Sequence, residues 1–339
     1  MGEEVKDFEF KLEKYLKVKH CITCANGTEA ISLVLKAWNI GFGDYVAVPA
    51  FTYVATAEAV RNVGAIPIFL DVNPDSFNVD KKEIINSLQF FKNNNLTIKA
   101  IIVVDLFGNP CDVRQFNKIL KNNKIKLLVD GAQSTGSVYN DQNISSFADA
   151  LTTSFFPTKP LGAYGDGGAV LTNDFILASK IRSLRVHGFK KQTNNYYQIG
   201  YNSRLDTIQA AILSPKLDIL DSEITKRNEI ANIYIENLDR NNFISQQITQ
   251  NSVSAWAIYS IKCKNRDKAI NMLNQNKIPY RIYYPKTVIE NNAYKKFPKV
   301  KNTLKNSQKL SKSLVSLPMH PYLKKVEVKK ICRILNNSI

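Results

Sequence analysis

The chain has 339 residues, enough for one very large domain or two, and its 44 % hydrophobic content suffices for a full core. No stretch approaches the roughly 20 apolar residues of a membrane span. The acidic start, Met1-Gly-Glu-Glu-Val-Lys-Asp7, lacks the apolar segment of a secretory signal, and five scattered cysteines suit a reducing compartment, so a soluble cytoplasmic protein is expected.

The net charge of +17 draws anions such as nucleic acid, phosphorylated metabolites or acidic amino acids. The lysines are spread over the whole length, with no Arg-rich recognition helix, zinc-finger spacing or aromatic RNA-binding box, and a solvated lysine-rich surface is the plainer reading.

Glu4 to Lys17 carries Val5, Phe8, Leu12, Tyr15 and Leu16 at helical spacing. His20 to Ala25 reads as a short strand. Cys21-Ile-Thr-Cys24 belongs to it and reads as buried strand rather than as a metal or redox pair, since no second ligand pair lies near and the chain has three histidines. Asn26-Gly-Thr-Glu29 opens a long helix. Its first amides and the Thr28 hydroxyl offer an anion site, although the same residues make an ordinary N-cap.

Tyr45 to Pro49 is a strand, and the run from Ala50 leads to a helix ending near Gly64. Strands at Ile66 to Val72, Ala100 to Leu106 and Ile125 to Val129 alternate with helices at Lys81 to Phe91 and Val113 to Asn122. That alternation implies a mostly parallel α/β sheet wrapped by helices on both faces, which binds ligands at the carboxyl ends of its strands. Asp130 stands at such an end, where it either caps the next helix or pairs with a protonated ring nitrogen. Gln133, three residues on, can reach the same ligand.

The run Thr153-Ser-Phe-Phe-Pro-Thr-Lys159-Pro-Leu-Gly162 holds one lysine between Pro157 and Pro160, which restrict the backbone on both sides. Such a mount suits an amine presented to an electrophilic carbon, because imine chemistry needs a desolvated lysine of lowered pKa. Ser154 can join Thr28 on a phosphate. Phosphate cradle, pyridinium partner and imine lysine together describe a pyridoxal phosphate pocket. Gly168 to Thr172 then reads as a buried strand. Lys190 to Gln198, polar and tyrosine-rich, reads as an extended functional loop.

Several segments carry a resemblance to a known family. They are Cys24-Ala-Asn-Gly-Thr-Glu-Ala30, Val48-Pro-Ala-Phe-Thr-Tyr-Val-Ala-Thr56, Asp130-Gly-Ala-Gln-Ser134, Ser154 to Gly162 and Gly165-Asp-Gly-Gly-Ala169. Leu184-Arg-Val-His-Gly188, Gly200-Tyr-Asn-Ser-Arg-Leu-Asp-Thr-Ile-Gln-Ala210 and Leu317-Pro-Met-His-Pro-Tyr-Leu323 complete the set. In this order, over nearly the whole chain, they resemble the DegT/DnrJ/EryC1/StrS sugar-nucleotide aminotransferases, pyridoxal phosphate enzymes of fold type I. The chain is most similar to the subgroup that aminates UDP-linked 3-keto-N-acetyl-hexuronic acids. The 4-keto-6-deoxy nucleotide-sugar aminotransferases share much of the pattern and remain the alternative.

The resemblance implies roles residue by residue. Lys159 is the imine lysine and proton shuttle, and Asp130 keeps the pyridine nitrogen protonated. Gln133 contacts the phenolic-oxygen side of the ring and Tyr53 stacks on its face. Gly27, Thr28 and Ser154 take the phosphate, and Asn202 reaches the phosphate of a neighbouring subunit, making the active unit a homodimer with shared sites. His187, Arg204 and His320 lie toward the substrate, although His187, preceding a glycine, also reads as a helix cap. L-Glutamate is the implied amino donor, in ping-pong alternation with the keto-sugar nucleotide of a surface-polysaccharide pathway. No metal is expected.

Two departures from the family stand out. Gly2-Glu-Glu-Val5 is almost the start, where relatives carry a leading helix and loop, so the arm is read as truncated or lost. Ile282-Tyr-Tyr-Pro285 lacks the His that close UDP-uronate enzymes carry before Tyr-Pro. Residues 1–220 are expected to form the cofactor-binding domain and 221–339 a small C-terminal α/β domain packing over the site. Three remoter readings compete. A dehydratase of the same family would carry His at position 159. A pyridoxal phosphate enzyme acting on small amino acids is the second. A non-catalytic regulatory or nucleic-acid-binding relative would leave Asp130, Gln133 and Lys159 without a purpose.

Overall fold

The computed structural model describes residues 1–139, 148–190, 193–301 and 304–337. The chain starts with α1 (Glu3–Leu16), whose Val5, Phe8, Leu12 and Leu16 are buried along one helical face. β1 (His20–Cys24) leads to α2 (Gly27–Ala37), capped by the Asn26 side chain, which accepts from the Glu29 amide at 2.8 Å. β2 (Tyr45–Pro49), α3 (Ala55–Asn62) and β3 (Ile66–Leu70) follow, then α4 (Lys81–Asn93) and β4 (Ile98–Val104). Next come α5 (Arg114–Asn122), β5 (Lys126–Asp130), β6 (Val138–Tyr139), β7 (Ala150–Ser154), β8 (Gly168–Thr172) and α6 (Phe175–Leu184).

The main sheet has the order β1-β8-β7-β5-β4-β2-β3. β3, β2, β4, β5 and β7 are parallel, and β8 runs antiparallel between β7 and β1. Side chains alternate across it with a period of two. Ile101, Val103, Leu127 and Val129 pack toward α1, while Ala100, Ile102 and Leu128 pack toward α2 and α3. Burial on both faces explains why these strands read as unbroken apolar runs. Six of the seven strands share one direction, so β1, β5 and β7 bring Cys24, Asp130 and Ser154 to the same edge. The reversed strand β8 contributes its first residue there: Gly168 lies between Ser154 and Cys24.

Beyond α6, the segment expected as an extended loop contains a short antiparallel hairpin, β9 (Phe189–Lys190) with β10 (Asn195–Tyr196). The Phe189 and Tyr196 rings lie 5.3 Å apart across it, and Asn194 takes the left-handed conformation at φ 48° that asparagine tolerates. Residues 191 and 192 of that segment lie outside the described residues.

α7 (Thr207–Asp218) packs on α1, and α8 (Leu220–Asn237) follows. The rest consists of β11 (Phe243–Ser245), β12 (Ser252–Val253), β13 (Tyr259–Cys263), α9 (Arg266–Gln275), α10 (Lys305–Ser313), β14 (Leu314–Leu317) and α11 (Lys325–Asn336). The antiparallel sheet β11-β13-β14 forms its own core with Ile230 and Tyr234 of α8, Leu273 of α9 and Leu335 of α11. Leu220 and Ile224 at the start of α8 belong instead to the large core.

Val288, Tyr294 and Leu304 also return to the large lobe, pinned by Val288 N donating to Ala50 O (2.8 Å) and Val300 N to Phe69 O (3.0 Å). That return carries residues 279–285 over the carboxyl edge of the main sheet. Among the described residues no helix is long and apolar enough to cross a membrane.

Candidate active site

Asp130 is the last residue of β5 and is 6 % exposed. Its Oδ2 accepts from Thr56 Oγ1 at 2.7 Å and its Oδ1 from the Ala132 amide at 3.2 Å. Burial pushes its carboxyl above the usual range, opposed by these hydrogen bonds and by the charge of Lys159. Lys159 is half-buried between its two prolines, and its backbone amide turns back to Phe156 O at 2.9 Å. Burial lowers its amine pKa, and the Asp130 charge works against that shift. The lysine is thus less basic than in water, beside a buried carboxylate.

Gln133 lies in the turn after β5. Its Oε1 accepts from the Phe107 amide at 2.6 Å, and its side chain is a hydrogen-bond partner of the Tyr284 hydroxyl. Tyr284 packs near Phe51, Tyr53 and Phe107, with ring centroids 6.0, 6.1 and 6.4 Å away. An aromatic wall thus stands over Gln133, and Tyr53, 59 % exposed, presents its ring at the open end. Behind it, Asp105 is fully buried. Its carboxylate accepts from Ser134 Oγ (2.7 Å) and the Cys111 amide (2.8 Å), its own amide donates to Asp130 O (3.1 Å), and burial pushes its carboxyl up to about 7.

The start of α2 closes on β7 and β8. A Cβ on Gly27 would stand 2.9 Å from Ser154 Cβ, and one on Gly168 would stand 2.5 Å from the Asn26 carbonyl carbon, so both positions admit only glycine without a shift. Asn26 takes the Glu29 and Ala30 amides. Gly27 thus packs against Ser154 at the first turn of α2, whose leading amides have no partner within the helix and whose dipole favours an anion. This donor set fits the expected pyridoxal phosphate: an anion cradle, a buried carboxylate for a protonated ring nitrogen, an aromatic face and a lysine of lowered basicity.

A cavity of about 320 Å³ opens beside these groups. Gln133, Thr158 and Lys159 line it from the large lobe, and Ile258, Arg281 and Ser316 from the small one. The fold thus brings Lys159, Asp130, Gln133 and Tyr53 together, with Gly27, Thr28 and Ser154 along the same sheet edge.

His187, Asn202 and Arg204 are placed apart from that cavity. Val186 and Asn202 form an isolated bridge, His187 N donates to Tyr201 O (2.8 Å), and His187 has φ 65° just beyond the end of α6. Ser203 and Leu205 are buried, whereas Asn202 and Arg204 point out to solvent, the alternation of an extended segment. Ser203 Oγ accepts from the Ala25 amide at 3.3 Å, which sets this run beside the exit of β1. His320 is exposed, its Nδ1 accepting from Tyr322 N at 3.3 Å, although the preceding Pro318 and Met319 line the Lys159 cavity.

Sequence reasoning missed Thr56, Asp105 and Arg281, and noted Tyr284 only as part of a departure from the family. Thr56 lay inside a quoted segment without a role; nothing local marks the other two. Among the described residues no group of His, Cys, Asp and Glu is arranged to hold a metal.

The model of the DegT/DnrJ/EryC1/StrS aminotransferase family matches residues 1–336. The chain is 38 % identical to the UDP-2-acetamido-2-deoxy-3-oxo-D-glucuronate aminotransferase of Pseudomonas aeruginosa, over 99 % of this chain and 91 % of that protein. Its structure superposes on the crystal structure of a DegT/DnrJ/EryC1/StrS aminotransferase from Brucella abortus with a TM-score of 0.96 at 42 % identity, covering 99 % of this chain and 90 % of that one. It also superposes on NtdA of Bacillus subtilis with bound cofactor PMP, with a TM-score of 0.89 at 26 % identity, covering 100 % and 77 % of the two chains.

Proposed function

The chain belongs to the DegT/DnrJ/EryC1/StrS aminotransferase family, and on that footing we propose that it moves an amino group from L-glutamate to the keto group of a UDP-linked 3-keto-N-acetyl-hexuronate. It depends on pyridoxal phosphate. The two substrates use one site in turn, in the cytoplasm, on a route to surface polysaccharide. The observation that carries the reading is the pairing of Lys159 with buried Asp130 at the carboxyl edge of the sheet, where Lys159 lines a cavity roofed by the small lobe and Asp130 lies buried behind it.

Bound here, pyridoxal phosphate supplies an electron sink and a carrier for the amino group. Asp130 would hold a proton on the ring nitrogen, and Thr56 and the Ala132 amide keep its carboxylate oriented. Lys159, its amine made less basic by burial, would be the residue that anchors the cofactor and serves as the acid–base group for the substrate proton. The Gly27 and Thr28 amides and the Ser154 hydroxyl would hold the phosphate. Tyr53 and Tyr284 would cover the ring face, and Gln133, steadied by Phe107 N, would orient the ring oxygen. Ile258 and the Ser316–Met319 segment line the small-lobe side of the cavity that holds the amine.

The outward set of Asn202 and Arg204 supports a homodimer in which these residues, with His187, complete the partner's site, while His320, exposed and following the cavity-lining Pro318 and Met319, is kept on the substrate side. The division of the chain near residue 220 is kept in this reading, with Val288, Tyr294, Val300 and Leu304 reaching back from the small lobe onto the large one.

The test is direct. Holoenzyme is mixed with L-glutamate and a panel of UDP- and dTDP-linked keto sugars, and the amino sugar is identified by mass. An aminated 3-keto uronate supports the proposal. Amination of only a 4-keto-6-deoxy sugar, or only of small 2-oxo acids, replaces it.

A further inference from the structure

The Lys159 cavity carries a second cation with no assigned role. Arg281 lines it from the small lobe, together with Lys159 and Thr158 on the opposite side. Its backbone is fixed: Arg281 N donates to Ser316 O at 3.1 Å and Ser316 N to Arg281 O at 2.8 Å. The Ser316 hydroxyl is in turn hydrogen-bonded with that of Ser260 on β13 at 2.7 Å. The guanidinium is therefore carried on an extension of the β11-β13-β14 sheet rather than on a free loop.

Its side chain is uncommitted. One Nη1 contact to the neighbouring Tyr280 O at 3.2 Å is its hydrogen bond within the protein, and among the described residues no carboxylate pairs with it. Other arginines are bound up in the fold: Arg185 with Glu9 and Thr23, Arg61 with Ala65 O, Arg266 with Ser311 O. The cavity lining contains Lys159 and Arg281 and no Asp or Glu. A guanidinium offers a planar fork that matches a carboxylate with two parallel hydrogen bonds, and a cavity lined by one sign of charge concentrates the opposite sign.

We infer that Arg281 receives a substrate carboxylate in the Lys159 cavity and so sets the chain's preference for acidic substrates. The inference deepens the aminotransferase reading and rests on it. That carboxylate belongs either to the amino donor or to a keto-uronate acceptor, and the two half-reactions separate these sources.

The experiment uses holoenzyme of wild type, Arg281→Gln and Arg281→Lys. The donor arm measures the dissociation constant of glutarate, a non-reacting dicarboxylate, by calorimetry, and the single-turnover concentration dependence on L-glutamate. The acceptor arm compares a UDP-linked 3-keto uronate with the uncharged UDP-linked 3-keto-N-acetylglucosamine. Melting temperature and the visible spectrum of the bound cofactor check that each variant folds and loads.

Loss of a charge-assisted fork predicts weakening of about 10- to 100-fold in Arg281→Gln for the carboxylate it holds. The limiting rate should change less than about threefold, because the interaction is made equally before and during the chemical step. Arg281→Lys should recover part of the loss. Weakening in the donor arm assigns the donor carboxylate, and weakening confined to the charged sugar assigns the acceptor. Dissociation constants unchanged in both arms, or a fall in the limiting rate without weaker binding, overturns the inference. If the wild type aminates neither sugar, the acceptor proposal fails by itself and the donor arm alone decides the role of Arg281.

Discussion

Thr56→Val tests whether Asp130 works as an ionised carboxylate held by its neighbours. Thr56 is 1 % exposed and Asp130 6 %, and the hydroxyl donates to Oδ2 at 2.7 Å, so water cannot replace the lost donor without entering the core. Valine keeps the branched shape but not the hydroxyl, which is why this swap is not neutral in a buried site. A hydrogen bond to a charged group contributes about 1.5–3 kcal/mol. At tenfold per about 1.4 kcal/mol, kcat/KM should fall about 10- to 100-fold at neutral pH.

The pH dependence has a definite sign. Burial already raises the Asp130 pKa and the Thr56 bond lowers it. Removing that bond raises it further, so the acid limb of the rate profile should move to higher pH, and part of the loss should be regained in alkaline buffer. Thr56→Ser, which keeps the donor, should stay near wild type. The assay is kcat/KM for the glutamate half-reaction from pH 5.5 to 9. Activity within threefold of wild type with an unmoved acid limb would refute the reasoning.

Lys159→Ala should abolish turnover and the visible absorbance of the lysine-bound cofactor while leaving the melting curve of cofactor-free protein nearly unchanged; retained turnover excludes Lys159 as the catalytic amine. Asp105 is pushed up to about 7 by burial, so the folded state holds a proton that the unfolded chain releases near the ordinary carboxylate value of about 4. Its contribution to stability is present below that lower value and is lost as pH rises through about 7. Asp105→Asn should flatten this decline in urea unfolding of cofactor-free protein, and an unchanged slope would show that Asp105 does not titrate there. Lys159→Ala and Asn202→Asp should each be inactive alone and complement when mixed and re-associated. Half of the heterodimer's sites then carry neither lesion, and no recovery despite proven subunit exchange places Asn202 outside a shared site.

The sequence alone determined what depends on neighbours along the chain. Helical spacing located α1, short apolar runs located β1 and β2 within a residue or two, and the Asn26 cap marked the start of α2, because each of these signals is carried by neighbouring residues. Strand-end position singled out Asp130, and paired prolines singled out Lys159, since both signals are local. The tertiary structure decided which distant groups meet. Thr56 reaches Asp130 across 74 residues because β2 and β5 end on the same sheet edge. Tyr284 meets Gln133, and Arg281 lines the same cavity as Lys159, because Val288, Tyr294 and Leu304 pack back onto the large lobe and β14 clamps the Arg281 backbone. Phe189–Lys190 and Asn195–Tyr196 pair as antiparallel strands, which a polar composition does not reveal. No periodicity encodes such meetings: they follow from strand order and lobe packing, which are set by the free energy of the whole core rather than by any window of the chain.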